Sequence, residues 1–277
     1  MTAAAGTAEA VPRLAETGRV TQARVVASEW TKLHSVRSTR WSLLVGVVLT
    51  IGLPLLFGAI VSSHWSHMSP REQANRHPLD IALAGVNLSQ LAIAVLGVLV
   101  ITGEYSTGMI RASFTAVPKR LPVLWAKAGV FAAVTFVLMV PSVLIAFFGS
   151  QAIISGHAPL KIAFSDPGVA RTVIGGAAYL MITGVFALAI GAIVRNTAGG
   201  IAVFAGLFFV IPPLLNILPT NWNNAVSQYM PDSAGRRLFS LTHDSHTLHV
   251  LPGTALYCGY TLLALVVAAV LLVRRDT

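Results

Sequence analysis

The residues with the most chemistry to offer sit in one stretch, ITGEYSTGMIRASFTAVPKRLPVLWAK, from Ile101 to Lys127. Between long apolar runs it places Glu104, Arg111, Lys119, Arg120 and Lys127. A carboxylate followed by several cations can pair across a turn, dock on a charged partner, or anchor a loop at lipid headgroups. A second group is HDSHTLH, where His243, His246 and His249 recur every third residue, and His64 and His67 repeat that spacing earlier. On a helix such steps put the imidazoles on one broad face, where they could hold zinc or copper. A third is Asn87 and Gln90 in GVNLSQLAI, three apart and so on one helix face. They can either bond to a neighbouring helix or line a substrate path. Cys258, the lone cysteine, lies in an apolar run and excludes an intramolecular disulfide framework.

Other chemistries lack their residues. The phosphate-binding pattern G-x-x-x-x-G-K-[ST] is absent and the dipeptide Gly-Lys never occurs, so ATP-driven work would need a nucleotide site on another chain. The metalloprotease pattern H-E-x-x-H is absent too, and the expectation is a protein that is not itself an enzyme. Near the middle of the long apolar segments there is no Asp, Glu, Lys, Arg or His; Asp80 and Glu104 lie at the edges. Proton and ion relays depend on such groups, so an energy source outside the membrane domain is expected.

The elements that carry these residues are hydrophobic. Apolar residues make up 55% of the 277 and charged residues 10%, with a mean hydropathy of +0.74. A soluble domain carries about a quarter charged residues, so this composition reads as a membrane protein. A crossing helix needs about 20 apolar residues. Six segments qualify, 42–62, 80–102, 123–149, 170–194, 198–218 and 252–273, giving an all-α polytopic fold with six transmembrane helices. The net charge of +9 then marks the flanks of the spans, and no nucleic-acid partner is expected. With the N-terminus inside, 13 of the 19 Lys and Arg fall on cytoplasmic pieces. The other 6 are Arg71, Arg76, Lys161, Arg171, Arg236 and Arg237, so both termini are expected to be cytoplasmic. Seven of the 8 histidines then lie outside.

Residues 1–21 are small and polar and read as a disordered cytoplasmic tail rather than a cleavable signal. From Gln22, Ala23, Val26, Ala27, Trp30 and Leu33 recur at helical spacing, with Arg24, Ser28, Thr31, Lys32 and Ser35 on the other side. This predicts an amphipathic interfacial helix over 22–40, with Arg37 and Arg40 leading into the first span. Pro54, Pro141 and the Pro212-Pro213 pair are expected to kink or end their helices. The long connection from Pro219 to Leu251, with Trp222, Tyr229, Leu238 and Phe239, reads as short helices dipping back toward the outer leaflet. In the 103–122 loop, Gly103 is expected to end the second span and Glu104 to open a new short helix, which Pro118 stops.

GEYSTGMIRASFTAVPKRLPVLWAKA resembles the loop after the second span in permease subunits of the type-2 ABC exporter family. Members show a Glu, a Gly four residues on, a basic or polar helix, a Pro, an Arg two residues later and a Lys opening the next span. Glu104, Gly108, Arg111, Pro118, Arg120 and Lys127 match in order. EWTKLHSVRSTRWSLL is similar to the family's interfacial helix, and GAIVRNTAGGIAVFAGLFFVIPPLL to its fourth-to-fifth span connection. The resemblance implies that residues 22–277 form a transmembrane permease domain in the cell membrane, without cofactor of its own. Its partners would be a P-loop ATPase subunit that binds ATP and magnesium, a second permease copy, and the lipid bilayer. It also implies that 103–122 holds the coupling helix, with Met109, Ile110 and Phe114 among the residues that contact the ATPase. Glu104 is expected to pair with a basic residue of the N-terminal helix such as Arg37 or Arg40. Two other classes stand beside this reading: a metal-handling membrane protein using the outer-loop histidines, and a non-transporting membrane anchor.

Overall fold

The computed structural model describes residues 22–106, 120–217, 219–241 and 247–274. Among them every element is helical, and no strand is present. The chain opens with α1 (Gln22–Ser35), breaks at Val36 in an extended conformation, and continues as α2 (Arg37–His64). Arg37 and Arg40 therefore belong to the first turns of the first long helix, not to the helix before it. Two short helices, α3 (Pro70–Ala74) and α4 (Pro78–Ala82), lead into α5 (Ala84–Ser106). Then follow α6 (Arg120–Ile154), α7 (Val169–Val194) and α8 (Thr197–Ala205). A π-helical turn at Gly206–Val210 joins α8 to α9 (Ile211–Leu215). The short α10 (Thr220–Ser227) and α11 (Pro231–Arg236) precede the last long helix, α12 (Val250–Arg274).

Among the described residues, six helical segments are long and apolar enough to cross a membrane, and their bounds follow the six expected segments closely. Pro54 and Pro141 sit inside α2 and α6 without ending them. In a bundle, neighbouring helices and local adjustment can absorb the lost backbone bond. Pro212 and Pro213 fall in the first turn of α9, where a missing N–H costs little, directly after the π turn.

Helix α7 forms the centre. Every residue from Thr183 to Ala192 is buried, and α5, α6 and α12 pack around it. Two close backbone approaches fix that packing. A Cβ on Gly97 of α5 would lie 2.3 Å from the carbonyl oxygen of Gly184 in α7, so the two helices meet at glycine, as membrane helices do. A Cβ on Gly175 would lie 1.9 Å from the carbonyl oxygen of Leu238, which lets the 3₁₀ turn after α11 lie flat on α7. The outward faces stay apolar: Trp41, Val48 and Leu56 on α2, Val137 and Phe148 on α6, and Leu263 and Val270 on α12 are exposed. A bundle with an apolar exterior and small residues at its helix contacts is built for lipid surroundings.

Candidate functional site

Two clusters of polar side chains are buried in this apolar bundle, one near each end. The first lies where α1 meets the bundle. Val25, Glu29 and Leu33 form the buried face of α1, while Val26 and Trp30 point outward. Glu29 meets Lys127 of α6, and Lys127 Nζ also donates to Glu104 Oε1 of α5 at 2.8 Å. Lys32 Nζ closes the ring, 2.7 Å from Glu29 Oε1 and 3.1 Å from Glu104 Oε1. Side-chain exposure is 3% for Glu29 and Lys127, 8% for Glu104 and 30% for Lys32.

Two carboxylates and two ammoniums leave no net charge, and that balance is what makes the burial tolerable. Each ion loses hydration worth several kcal/mol, recovered only through its partners. Burial pushes the Lys32 ammonium toward the neutral form, but its hydrogen bond to Glu29 and the attraction of both carboxylates outweigh this, and its pKa stands above the ordinary value. The four side chains line a cavity of about 290 Å³ with Leu33, Thr39 and Gly103 among its other walls.

The geometry corrects one expectation and narrows another. Helix α5 runs through Gly103 to Ser106, so Glu104 sits in the last turn of that helix rather than the first turn of a new one. A carboxylate is disfavoured there by the helix dipole, and the two lysines offset this. Glu104 does pair with a basic residue of the N-terminal helix, as expected, but that residue is Lys32, joined by Lys127 of α6, and not Arg37 or Arg40, because the break at Val36 turns those arginines into α2. Gly108, Met109, Ile110, Arg111, Phe114 and Pro118 lie outside the described residues, as does the side chain of Arg120. Lys127 was legible as the basic residue opening its span; Glu29 was not singled out, although its three-residue spacing to Lys32 is a standard helix pair.

The second cluster lies toward the opposite end. Asp232, Ala234 and Gly235 of α11 are buried against α7 and α12. Arg236 Nε donates to Asp232 Oδ2 at 2.8 Å, and Arg236 Nη1 donates to Asn87 Oδ1 of α5 at 2.8 Å. The hydroxyl of Tyr179 on α7 donates to Gln90 Oε1 and lies 3.5 Å from Asp232 Oδ1. Thr183 Oγ1 and Tyr257 Oη are 2.7 Å apart. Gln90 Nε2 is buried with no hydrogen-bond partner among the described residues. Asn87 and Gln90 thus act as acceptors tying α5 to α11 and α7. Asp232 and Arg236 also line a cavity of about 350 Å³ with Phe208, Phe209, Pro212 and Met230, beside the π turn.

This cluster changes one inference from sequence. The spans themselves hold no central charge, but α11 carries an aspartate and an arginine in from the connecting segment. The signal was present as Pro-Asp-x-x-x-Arg, a helix start with an i,i+4 ion pair. Tyr179, Thr183 and Tyr257 gave no such signal.

Among the described residues no group of three His, Cys, Asp or Glu could hold a metal ion. His243 and His246 lie outside them, and His249 stands just before α12, its carbonyl accepting the Gly253 N–H at 2.9 Å. Compared with known proteins, the chain matches no family model, and no curated protein is similar to it.

Proposed function

We propose that the chain is the membrane-spanning subunit of an ATP-driven exporter of the type-2 ABC class, non-enzymatic itself and powered by a separate P-loop ATPase that binds ATP and magnesium. It resides in the cell membrane with both termini cytoplasmic, pairs with a second permease copy, and provides the translocation path. The observation that carries the reading is the four-charge cluster. It joins the last turn of the second long helix, the first turns of the third, and α1, and so clamps both ends of the 103–122 loop to the helix lying beside the bundle. A push on that loop from a nucleotide-driven partner would reach three elements at once. Closure of the partner would then switch the bundle between inward- and outward-facing states.

The test is recovery of the partner. A tagged full-length chain is purified from native membranes in mild detergent, and co-purifying proteins are identified by mass spectrometry. A P-loop ATPase is expected with the wild type and is lost with the triple variant Met109→Asp, Ile110→Asp, Phe114→Asp. Recovery unaffected by that variant refutes docking through the loop. Absence of any ATPase refutes the reading as a whole.

Buried Asp232 favours a second reading, a carrier driven by an ion or proton gradient, since a carboxylate inside a bundle is the usual site of such coupling. The Arg236 guanidinium at 2.8 Å neutralises that carboxylate, which weighs against it. Transport persisting without nucleotide but abolished by Asp232→Asn would select the second reading.

A further inference from the structure

A groove of about 420 Å³ runs along the outside of the bundle where α1 crosses α2 and α6. Its walls are Trp30 and Leu33 of α1, Leu43 and Val47 of α2, and Val134 and Val137 of α6, all apolar. Its polar residues are His34 and Arg40, both exposed. No acidic residue lines it. The guanidinium of Arg40 has no ion-pair partner among the described residues, and the exposed Arg37 stands one turn away at the same end of α2. Glu29 and Glu104, which line the cavity that shares Leu33 with this groove, are committed to Lys32 and Lys127.

We propose that this groove is a binding site for one anionic phospholipid, an acyl chain lying between α2 and α6 and the phosphate held by Arg40, with His34 and Arg37 beside it. Charge complementarity selects the occupant: a cationic, carboxylate-free mouth on an otherwise apolar slot matches an anionic head on a hydrocarbon tail. The dimensions agree. From Arg40 to Val47 the groove descends roughly 10 Å at 1.5 Å per residue, about two-thirds of one leaflet's hydrocarbon. Trp30, half exposed and 5.2 Å from the His34 ring, sits at the mouth, where indoles favour the headgroup level. Leu33 walls both this groove and the cavity of the charge cluster, so a bound lipid would press α1 onto that cluster. The site depends neither on which face of the membrane it occupies nor on the transport reading.

The experiment is native mass spectrometry of the detergent-purified full-length chain, titrated with dioleoylphosphatidylglycerol or dioleoylphosphatidylcholine. One phosphatidylglycerol per chain is expected to be retained about tenfold more tightly than phosphatidylcholine. Arg40→Gln should shrink that preference to about twofold, and Ala133→Phe, which fills the groove from an exposed position, should abolish retention of both. Excess inorganic phosphate should displace nothing. Thermal unfolding of each variant shows that the fold is intact, because both substitutions are at exposed positions. Equal retention of the two lipids, displacement by free phosphate, or a lipid count unchanged in both variants overturns the proposal. So does a change of oligomeric mass in Ala133→Phe with lipid retained, which would assign the groove to a second copy.

Discussion

The two buried clusters solve the same problem in opposite ways. Near α1, four full charges from three elements cancel one another, each paired with side chains of opposite sign. Toward the other end, one ion pair is embedded in a network of neutral hydroxyl and amide groups, and one amide nitrogen goes without a partner. A cluster made of ions is brittle: removing one member strands another in an apolar setting. A network of neutral groups has slack, since each loss costs one hydrogen bond. The difference teaches where movement can be transmitted. Rigid charge balance ties α1, α5 and α6 into one unit, whereas α11 is held by many weaker ties and by backbone fit.

That backbone fit gives the largest expected effect. Gly175→Val would drive a side chain into the Leu238 carbonyl and should cost about 3 kcal/mol or more. Little monodisperse protein should survive size-exclusion chromatography, and a normal yield would mean that α11 is not seated on α7. Next comes Lys127→Met, which leaves two carboxylates sharing one lysine; loss of about 3–5 kcal/mol is expected in thermal unfolding. If the charge cluster is no more brittle than the neutral network, that variant will instead behave like the following one.

Arg236→Gln should cost less, about 1–2 kcal/mol, because the guanidinium is partly exposed and Asp232 can take water in its place. Thr183→Val removes one hydroxyl from Tyr257 and should cost about 1 kcal/mol. The smallest effect is a pH dependence. Lys32 titrates above its ordinary range, so its contribution is complete below about pH 10.4, the unfolded value, and fades as pH rises through the higher folded value. Stability measured above that pH should therefore fall less steeply in Lys32→Met than in the wild type.

How much of this was legible follows from what each element depends on. The six long helices were readable because hydropathy and length alone determine them, and their ends fall within a few residues of the expected ones. Glu104 and Lys127 were readable as isolated charges at the edges of apolar runs. The bridge from Lys127 to Glu29 was not, since it depends on the angle at which α1 crosses the bundle, set by the break at Val36. That α5 continues through Gly103 could not be read either: glycine permits a helix end without requiring one. Short helices dipping back were expected between Pro219 and Leu251, but Arg236 was counted only as an outer-loop charge and Asp232 was not singled out. Composition does not reveal that α11 seats them against α5 and α7, with the turn after it lying on Gly175.

The central claim is that charge balance, not any single ion pair, holds α1 and both ends of the 103–122 loop together. Thermal unfolding of Lys127→Met, Glu104→Gln and the double variant, in one lipid composition, tests it most directly. The double variant keeps the balanced Glu29–Lys32 pair, so it should regain at least half of what Lys127→Met loses. A double variant that loses the full sum of the two single losses would contradict the account.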